Sequence, residues 1–503
     1  MTLRTSLLSF ALLPAALAAQ SPTAPDLRAL ADRAFELFAP VGMAGAVVED
    51  GEVSFAAGYG ERFAGGGEPV LATTPFQIAS CTKAFTAAAV GCLVADGALG
   101  WDDRVIDHLP WFRLADSWIT RELTVRDLLC HRSGLATFAG DLLWYGTDYD
   151  EDEVFRRAAK LPITKRFRSE FGYQNILYAV AGRVVEKVSG QGFGAFLAER
   201  FFHPLGMDGT ALGFAELSDG EAPALPHIEG QGIDVVRFGT CKPAGAIWSS
   251  ASEMALWVRA LANGGRVGDT AVIPEQVLRA AWTPHTGLPA GRRADAVEDF
   301  RSYGLGWFLT VENGKKVAEH DGGMPGYLSK VTVVPADRFG MVVLHNTDTA
   351  FLTTALRAAV FAARQGEDGE AVLQRYAKVA ADQRGRAAAA VRARESQRVE
   401  GTDPSVALDR YTGLFRDDIL GDARVELRDD ELHLRILPAG KTFHGTMAHW
   451  HHDVFRVDFP DRFLPFALVT FRFGSGGTVD GFTIDCPIPD FDFAALMFRR
   501  AGE

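Results

Sequence analysis

The sequence predicts a mixed α/β (α+β) domain, built as an antiparallel sheet flanked by helices, followed by a small all-β domain. Three observations carry this prediction. Strand-like alternation stands near the start of the chain and returns after Lys315, with helical periodicity between the two. A stretch rich in charge and alanine then breaks the pattern from Gly366 to about Asp403. Beyond it the chain reads as short alternating strands with turn residues at their joints. At 503 residues the chain exceeds one typical core, so two domains are the default expectation.

Taken in order, the first residues MTLRTSLLSFALLPAALAAQSP show Arg4, an apolar run from Leu7 to Leu17 and the small-residue signature Ala16-Leu17-Ala18. This reads as an export signal over residues 1–18, and it places the protein in the periplasm or outside the cell. The run is short for a bilayer span, no later segment has the apolar length to cross one, and no cysteine follows to carry a lipid. A helix is expected over Asp26 to Phe38, then two strands in MAGAVVEDGEVSFAAGYG joined at Asp50-Gly51. Helical segments follow around Lys83, Val125 to Leu129, Ile176 to Val188 and Ser252 to Leu261. VAEHDGG and LSKVTVVPADRFGMVVLHN read as strands with a turn at Pro335 to Gly340, and a helix follows from about Thr353 to Arg364. Residues 366–403 form a charged helical connector. In the last stretch, YTGLFRD, ARVELRDDELHLRIL, VFRVDF and FALVTFRF alternate, with turns at Asp429-Asp430 and Gly476-Gly477.

Composition narrows the class. With 48% hydrophobic and 23% charged residues the chain is neither disordered nor a many-helix membrane protein. Its formal net charge of −13 disfavours nucleic acid or anionic lipid as a partner. Five scattered cysteines imply no disulfide framework even in an oxidising compartment.

Chemistry concentrates in three places. Ser80 and Lys83, in FQIASCTKAFTAAAV, stand three apart on one helix face, which gives a serine hydroxyl its own amine base. The amine works only when neutral, and burial or nearby positive charge would lower its pKa. Tyr173 and Asn175 precede an amphipathic helix, so a phenol that relays protons and an amide that donates and accepts leave one loop together. His320, Asp321, Gly322 and Gly323 lie on a strand whose backbone N–H, with Gly323 the favoured donor, could face an oxyanion. The cluster His449, His451, His452 and Asp453 lacks the spacing of a metal site and reads as a polar turn, and no metal or organic cofactor is expected. No Gly-x-Ser-x-Gly elbow or His-Glu-x-x-His helix competes.

The order Ser-x-x-Lys, Tyr-x-Asn roughly ninety residues on, and His-x-Gly before the closing strands resembles the serine β-lactamase and penicillin-binding-protein superfamily, in its class C-like branch. The resemblance continues through LVADGALGWDDRVIDHLPWF, LTVRDLLCHRSGL, YAVAGRVVEKVSGQ, FFHPLGMDGT and PAGAIWSSASEMALWVRALANGG. It implies a β-lactamase/transpeptidase-like hydrolase domain over residues 25–365. Ser80 would be the nucleophile, and Lys83 and Tyr173 the base and proton relay. Asn175 and His320 would bind substrate, while the N–H groups of Ser80 and the Gly322–Gly323 segment would form the oxyanion hole. Residues 404–503 resemble the lipocalin-like β domain attached to some of these hydrolases. His-Asp-Gly stands where many β-lactamases have Lys-Thr-Gly, and this favours a small-molecule ester, amide or peptide over β-lactams or terminal D-Ala-D-Ala. The alternatives are a D-amino-acid peptidase, DD-carboxypeptidase or β-lactamase, or a non-enzymatic protein that binds peptides or senses acylation. Sequence leaves the oligomeric state open.

Overall fold

The computed structural model describes residues 26–217, 222–292, 297–298 and 300–502. The export signal expected at residues 1–18 lies outside the described residues. Helix α1 (Leu27–Phe38) is capped by the Asp26 carboxylate, which accepts the Ala29 N–H at 3.0 Å. Strands β1 (Gly42–Glu49) and β2 (Glu52–Gly60) turn at Asp50-Gly51 with φ of +50° and +80°, the left-handed pair that a two-residue hairpin requires. The middle of the chain supplies α2 (Thr82–Ala95), α3 (Ile176–Ser189) and α4 (Ala251–Ala262). The sheet is completed by β3 (Thr286–Leu288), β4 (Arg301–Tyr303), β5 (Phe308–Glu312), β6 (Lys315–Met324), β7 (Tyr327–Val334) and β8 (Phe339–His345). Its order is β2-β1-β8-β7-β6-β5-β4-β3, with every neighbouring pair antiparallel.

Both faces of this sheet are covered, which is why β1 and β8 read as nearly unbroken apolar runs. Side chains at alternate positions enter different cores. Met43 and Val47 of β1 pack with α1 and α5 (Leu352–Arg364), whereas Ala44, Ala46 and Val48 belong to the core that holds α2 and α4. Helix α6 (Gly369–Glu395) coincides with the charged connector expected from sequence, yet Val372, Leu373 and Tyr376 in its first half are buried with α1 and α5. Its far end meets the second domain, where the Arg394 guanidinium donates to the carbonyls of Phe466 and Asp485 at 2.6 and 2.8 Å.

The C-terminal strands β9 (Gly413–Asp417), β10 (Gly421–Arg428), β11 (Glu431–Ile436), β12 (His444–His451), β13 (Val454–Val457), β14 (Ala467–Phe473), β15 (Val479–Asp485) and β16 (Phe498–Arg500) close into a barrel. Closure leaves no unpaired sheet edge. Inward positions are aromatic: Tyr411, Phe415, Phe455, Phe471, Phe482 and Phe498 are buried, and neighbouring rings stand 4.7–6.3 Å apart. The barrel centre is therefore packed with rings. In the turn after β12, the His449 Nε2–H donates to the His452 carbonyl at 2.9 Å, and Asp453 accepts from Ser405 and Tyr411. Those polar side chains thus close their own turn.

The barrel docks on the helical half of the first domain. The Tyr149 hydroxyl donates to the Leu420 carbonyl at 2.7 Å, the Arg157 guanidinium to the Ile419 carbonyl at 2.8 Å, and the Tyr145 hydroxyl to Asp461 Oδ2 at 2.7 Å. One buried apolar cluster runs through both units. No helix among the described residues is long and apolar enough to cross a membrane.

Candidate active site

Ser80 sits on a tight turn, Ala79–Cys81, that leads directly into α2. Ala79 takes a left-handed φ of +45°, a conformation that costs a non-glycine residue about 1 kcal/mol and must be held by its surroundings. They do hold it. The Ile78 N–H donates to the Ile247 carbonyl at 3.0 Å, and the Ile78 carbonyl accepts from the Ser329 hydroxyl of β7 at 2.7 Å. Gly322 of β6 lies so close to this turn that a Cβ there would stand 2.2 Å from the Ile78 oxygen.

Lys83 opens α2 and is fully buried. Its Nζ donates to Asn175 Oδ1 at 2.7 Å, to the Ala244 carbonyl at 2.8 Å and to Ser80 Oγ at 3.1 Å. An ammonium has three N–H groups, and these acceptors take all of them. On loss of one proton, the amide and carbonyl oxygens keep the two that remain. The lone pair then faces Ser80. Burial lowers the Lys83 pKa to about 7, against the pull of the Asp141 carboxylate, which raises it.

Asn175 occupies the position before α3 but makes no capping bond with its side chain. Its Nδ2 donates instead to Asp141 Oδ2 at 2.6 Å, while Asp141 Oδ1 accepts the Trp144 indole N–H at 3.0 Å. Asp141 is 3% exposed, and burial raises its pKa to about 7 against the hydrogen bonds from Trp144 and Asn175. Tyr173 is buried, its hydroxyl shares a hydrogen bond with Ser80, and Lys83 Nζ lies 4.8 Å from its ring centre. Burial holds its pKa well above the ordinary phenol value, outweighing the Ser80 bond, so the side chain rests as a neutral phenol.

The third motif is arranged differently from the expectation. The His320 ring is buried; its Nδ1 lies 2.6 Å from the Asp321 carbonyl and its Nε2 lies 2.9 Å from the Tyr303 hydroxyl. A carbonyl only accepts, so Nδ1 carries the proton and Nε2 accepts from Tyr303. Burial, with Lys83 nearby, lowers the His320 pKa to about 3. Both ring nitrogens are thus occupied within the fold. The Asp321 carboxylate turns to Lys330 of β7, 2.7 Å away and directly opposite it in register, so its charge is paired on the strand rather than opposed to the cleft. Gly323, next along β6, does line the cleft with Ser80.

Residues that sequence reading missed complete the site. His131 packs 4.2 Å from the Tyr173 ring and 4.5 Å from Tyr303, with Nδ1 accepting the Gln174 N–H at 3.0 Å. His131 stood inside a motif segment, LTVRDLLCHRSGL, whereas Asp141 and Tyr303 carried no periodic signal. The cleft has a volume of about 590 Å³. Phe138, Phe171, Phe238 and Phe308 line it from the first domain, and Phe463, Asp490 and Phe491 reach it from barrel loops.

The family model described as Beta-lactamase matches residues 31–365, and a domain of unknown function (DUF3471) matches residues 397–500. The chain belongs to the beta-lactamase family. Among curated relatives it is 30% identical to the unguisins hydrolase ungD' of Aspergillus campestris over 332 residues, covering 61% of this chain and 58% of that protein. The chain thus spans about three-fifths of the length of the curated relatives it matches. Among solved structures, the octameric penicillin-binding protein homologue from Pyrococcus abyssi superposes with a TM-score of 0.61 at 19% identity, covering 94% of this chain and 98% of that one. The D-amino acid amidase from Ochrobactrum anthropi, complexed with L-phenylalanine amide, gives 0.55 at 22% identity, covering 70% and 99%. These two show a shared fold. The beta-lactamase family model thus covers the sheet and the helical half, and the barrel is matched separately.

Proposed function

We propose that the protein is an exported serine hydrolase that cleaves an ester or amide through an acyl-serine. The observation that carries this reading is Lys83, buried with three acceptors so that its neutral form directs a lone pair at Ser80. In the first step the Ser80 Oγ–C bond forms as its proton passes to Lys83. The carbonyl oxygen gathers charge beside the N–H groups of Ser80 and Gly323. Tyr173, a neutral phenol beside Ser80 and Lys83, relays the proton to the leaving group as the carbonyl–heteroatom bond breaks. Water then attacks the acyl-serine, giving its proton back through the same groups, and Ser80 is regenerated.

The walls support a class of substrate. Aromatic rings dominate the cleft, and its lining includes the acidic side chains Asp348 and Asp490 but neither lysine nor arginine. Such a surface favours an apolar acyl group on a neutral or amine-bearing molecule and disfavours a carboxylate. The likeness to an unguisins hydrolase supports hydrolysis as the reaction class. The segment over residues 1–18 supports export, which cell fractionation would check.

The test is intact-mass detection of acylation across apolar esters, amino-acid amides and β-lactams. Turnover with an acyl adduct on Ser80, lost in Ser80→Ala, is the expected result, with esters or amides ahead of β-lactams. Full turnover by Ser80→Ala would sink the reading, and a persistent adduct without turnover on any substrate would convert it to an acylation sensor.

A further inference from the structure

Asn175 can serve Lys83 only if the oxygen of its amide, rather than the nitrogen, points at the lysine. An amide reversed about its last bond would set its own N–H groups against the lysine N–H groups, and Lys83 would lose one of its three acceptors. The amide shape does not distinguish the two orientations, so something beside it must. Asp141 stands there. Its Oδ2 accepts the Asn175 Nδ2–H at 2.6 Å, and its Oδ1 is held by the Trp144 indole at 3.0 Å. The indole is a donor only, so the carboxylate is fixed from behind with its second oxygen presented to Asn175.

Building on the serine-hydrolase reading above, we propose that Asp141 is a positioning residue. It locks the Asn175 amide with its oxygen on Lys83, and its charge sets the pH at which Lys83 becomes a base. Lys83 Nζ, Asn175 and Asp141 then form one hydrogen-bonded line running from the nucleophile into the core. A carboxylate at the end of that line favours the lysine in its charged form and raises its pKa. Other titratable groups face the pair. Cys81 and Cys241 are buried thiols near Lys83, and Tyr173 and Tyr178 lie with ring centres 4.8 and 5.2 Å from its Nζ. His131 and His320 are buried histidines whose pKa values Lys83 helps to depress. Asp490 approaches Asp141 from the barrel side and raises its pKa. Among these, Asp141 alone is hydrogen-bonded to the amide that Lys83 touches.

The experiment measures the rate at which an alkyl fluorophosphonate modifies Ser80, followed by intact mass between pH 5 and 9. It uses the full-length wild type, Asp141→Asn and Asp141→Leu. In the wild type the rate is expected to rise with a midpoint near 7, where the coupled Lys83–Asp141 pair loses the proton from Lys83. Asp141→Asn removes the charge that raises the Lys83 pKa and keeps one oxygen, which accepts from Asn175 once the Trp144 indole gives up its acceptor. Its midpoint should move to lower pH by about 0.5–1 unit, with a plateau within about tenfold of wild type. Asp141→Leu removes the acceptor, frees the amide to reverse, and should lower the plateau about 100-fold. Thermal unfolding of each variant gives its folded fraction, by which the plateau rates are corrected. The midpoint does not depend on how much protein is folded, so an unmoved midpoint in Asp141→Asn overturns the proposal. So does a Leu variant whose corrected plateau equals that of wild type. If the wild-type Ser80 is not labelled at all, the hydrolase reading fails first and this inference falls with it.

Discussion

An ammonium at Lys83 Nζ meets three acceptors at 2.7, 2.8 and 3.1 Å, and it is the weakest contact, to Ser80, that gives way on deprotonation. Arginine cannot play this part, because its guanidinium stays protonated at any physiological pH. Lys83→Arg should therefore lower kcat by roughly 10²- to 10⁴-fold, read by steady-state turnover, even if the side chain fits. Retention of more than a tenth of wild-type kcat would remove Lys83 from the role of base. The serine and lysine were legible in the sequence because their chemistry depends on a local spacing of three. Asp141 was not, since its role arises from contact with a residue 34 positions away and with an indole whose direction only the folded turn sets. His320 was legible as a site residue, and it lines the cleft with Ser80. The sequence cannot show that Tyr303 and a main-chain carbonyl satisfy both ring nitrogens. The His320 ring therefore also ties β6 to β4 from the cleft wall.

Among the elements, the approach of β6 to the Ser80 turn is the closest constraint on the site. Gly322→Ala would push a methyl carbon to 2.2 Å from the Ile78 oxygen and from Ser329 Oγ, the first a backbone atom and the second hydrogen-bonded to it. The turn must then shift. Overpacking of this kind costs about 1–3 kcal/mol, and a displaced nucleophile loses rate beyond that. Gly322→Ala is expected to unfold earlier in denaturant and to show lower kcat per folded molecule, whereas Gly323→Ala, whose nearest neighbour would lie at 3.5 Å, should fold as the wild type does. Equal behaviour of the two variants would show that the close approach does not constrain the turn. The order of sheet and helix was readable from periodicity, because period two and period 3.6 leave different traces. That the first half of α6 packs with α1 and α5 was not readable, since its alanines and charges suit an exposed helix equally well.

At the scale of the molecule, buried neutral histidines set an acid limit. Burial lowers the pKa of His320 and His345 to about 3 and that of His131 well below its usual value. A histidine of the unfolded chain takes up its proton below about pH 6.5, and the folded one does not. Stability from these residues is therefore complete above pH 6.5 and falls as pH decreases toward 3, by about 1 kcal/mol per pH unit for each. Urea unfolding midpoints measured at pH 7.5 and 5.5 should show the loss, and His345→Gln, which lies outside the catalytic groups, should lessen it. A midpoint that does not change between these pH values would contradict the assignment. The two-domain plan was visible in composition, but the placement of the barrel on the helical half was not, because hydrogen bonds such as Tyr145 to Asp461 join residues far apart in the chain.

The barrel loops carry Phe463, Asp490 and Phe491 to the cleft, while Ser80, Lys83, Tyr173 and Asn175 all belong to the first domain. Phe463→Ala with Phe491→Ala should widen the cleft, raising KM for small acyl groups and leaving their kcat within about threefold, since no reacting atom is touched. An unchanged ratio of kcat/KM between small and bulky substrates would exclude these rings from selectivity. The barrel centre is filled by rings such as Tyr411, Phe471 and Phe482, whereas Phe491 on its loop packs 4.4 Å from Tyr145 of the first domain. Exchanging Phe463 and Phe491 while sparing Asp461 and Asp490 would therefore retune which molecules enter and leave the Ser80–Lys83 pair, which lies wholly in the first domain, untouched.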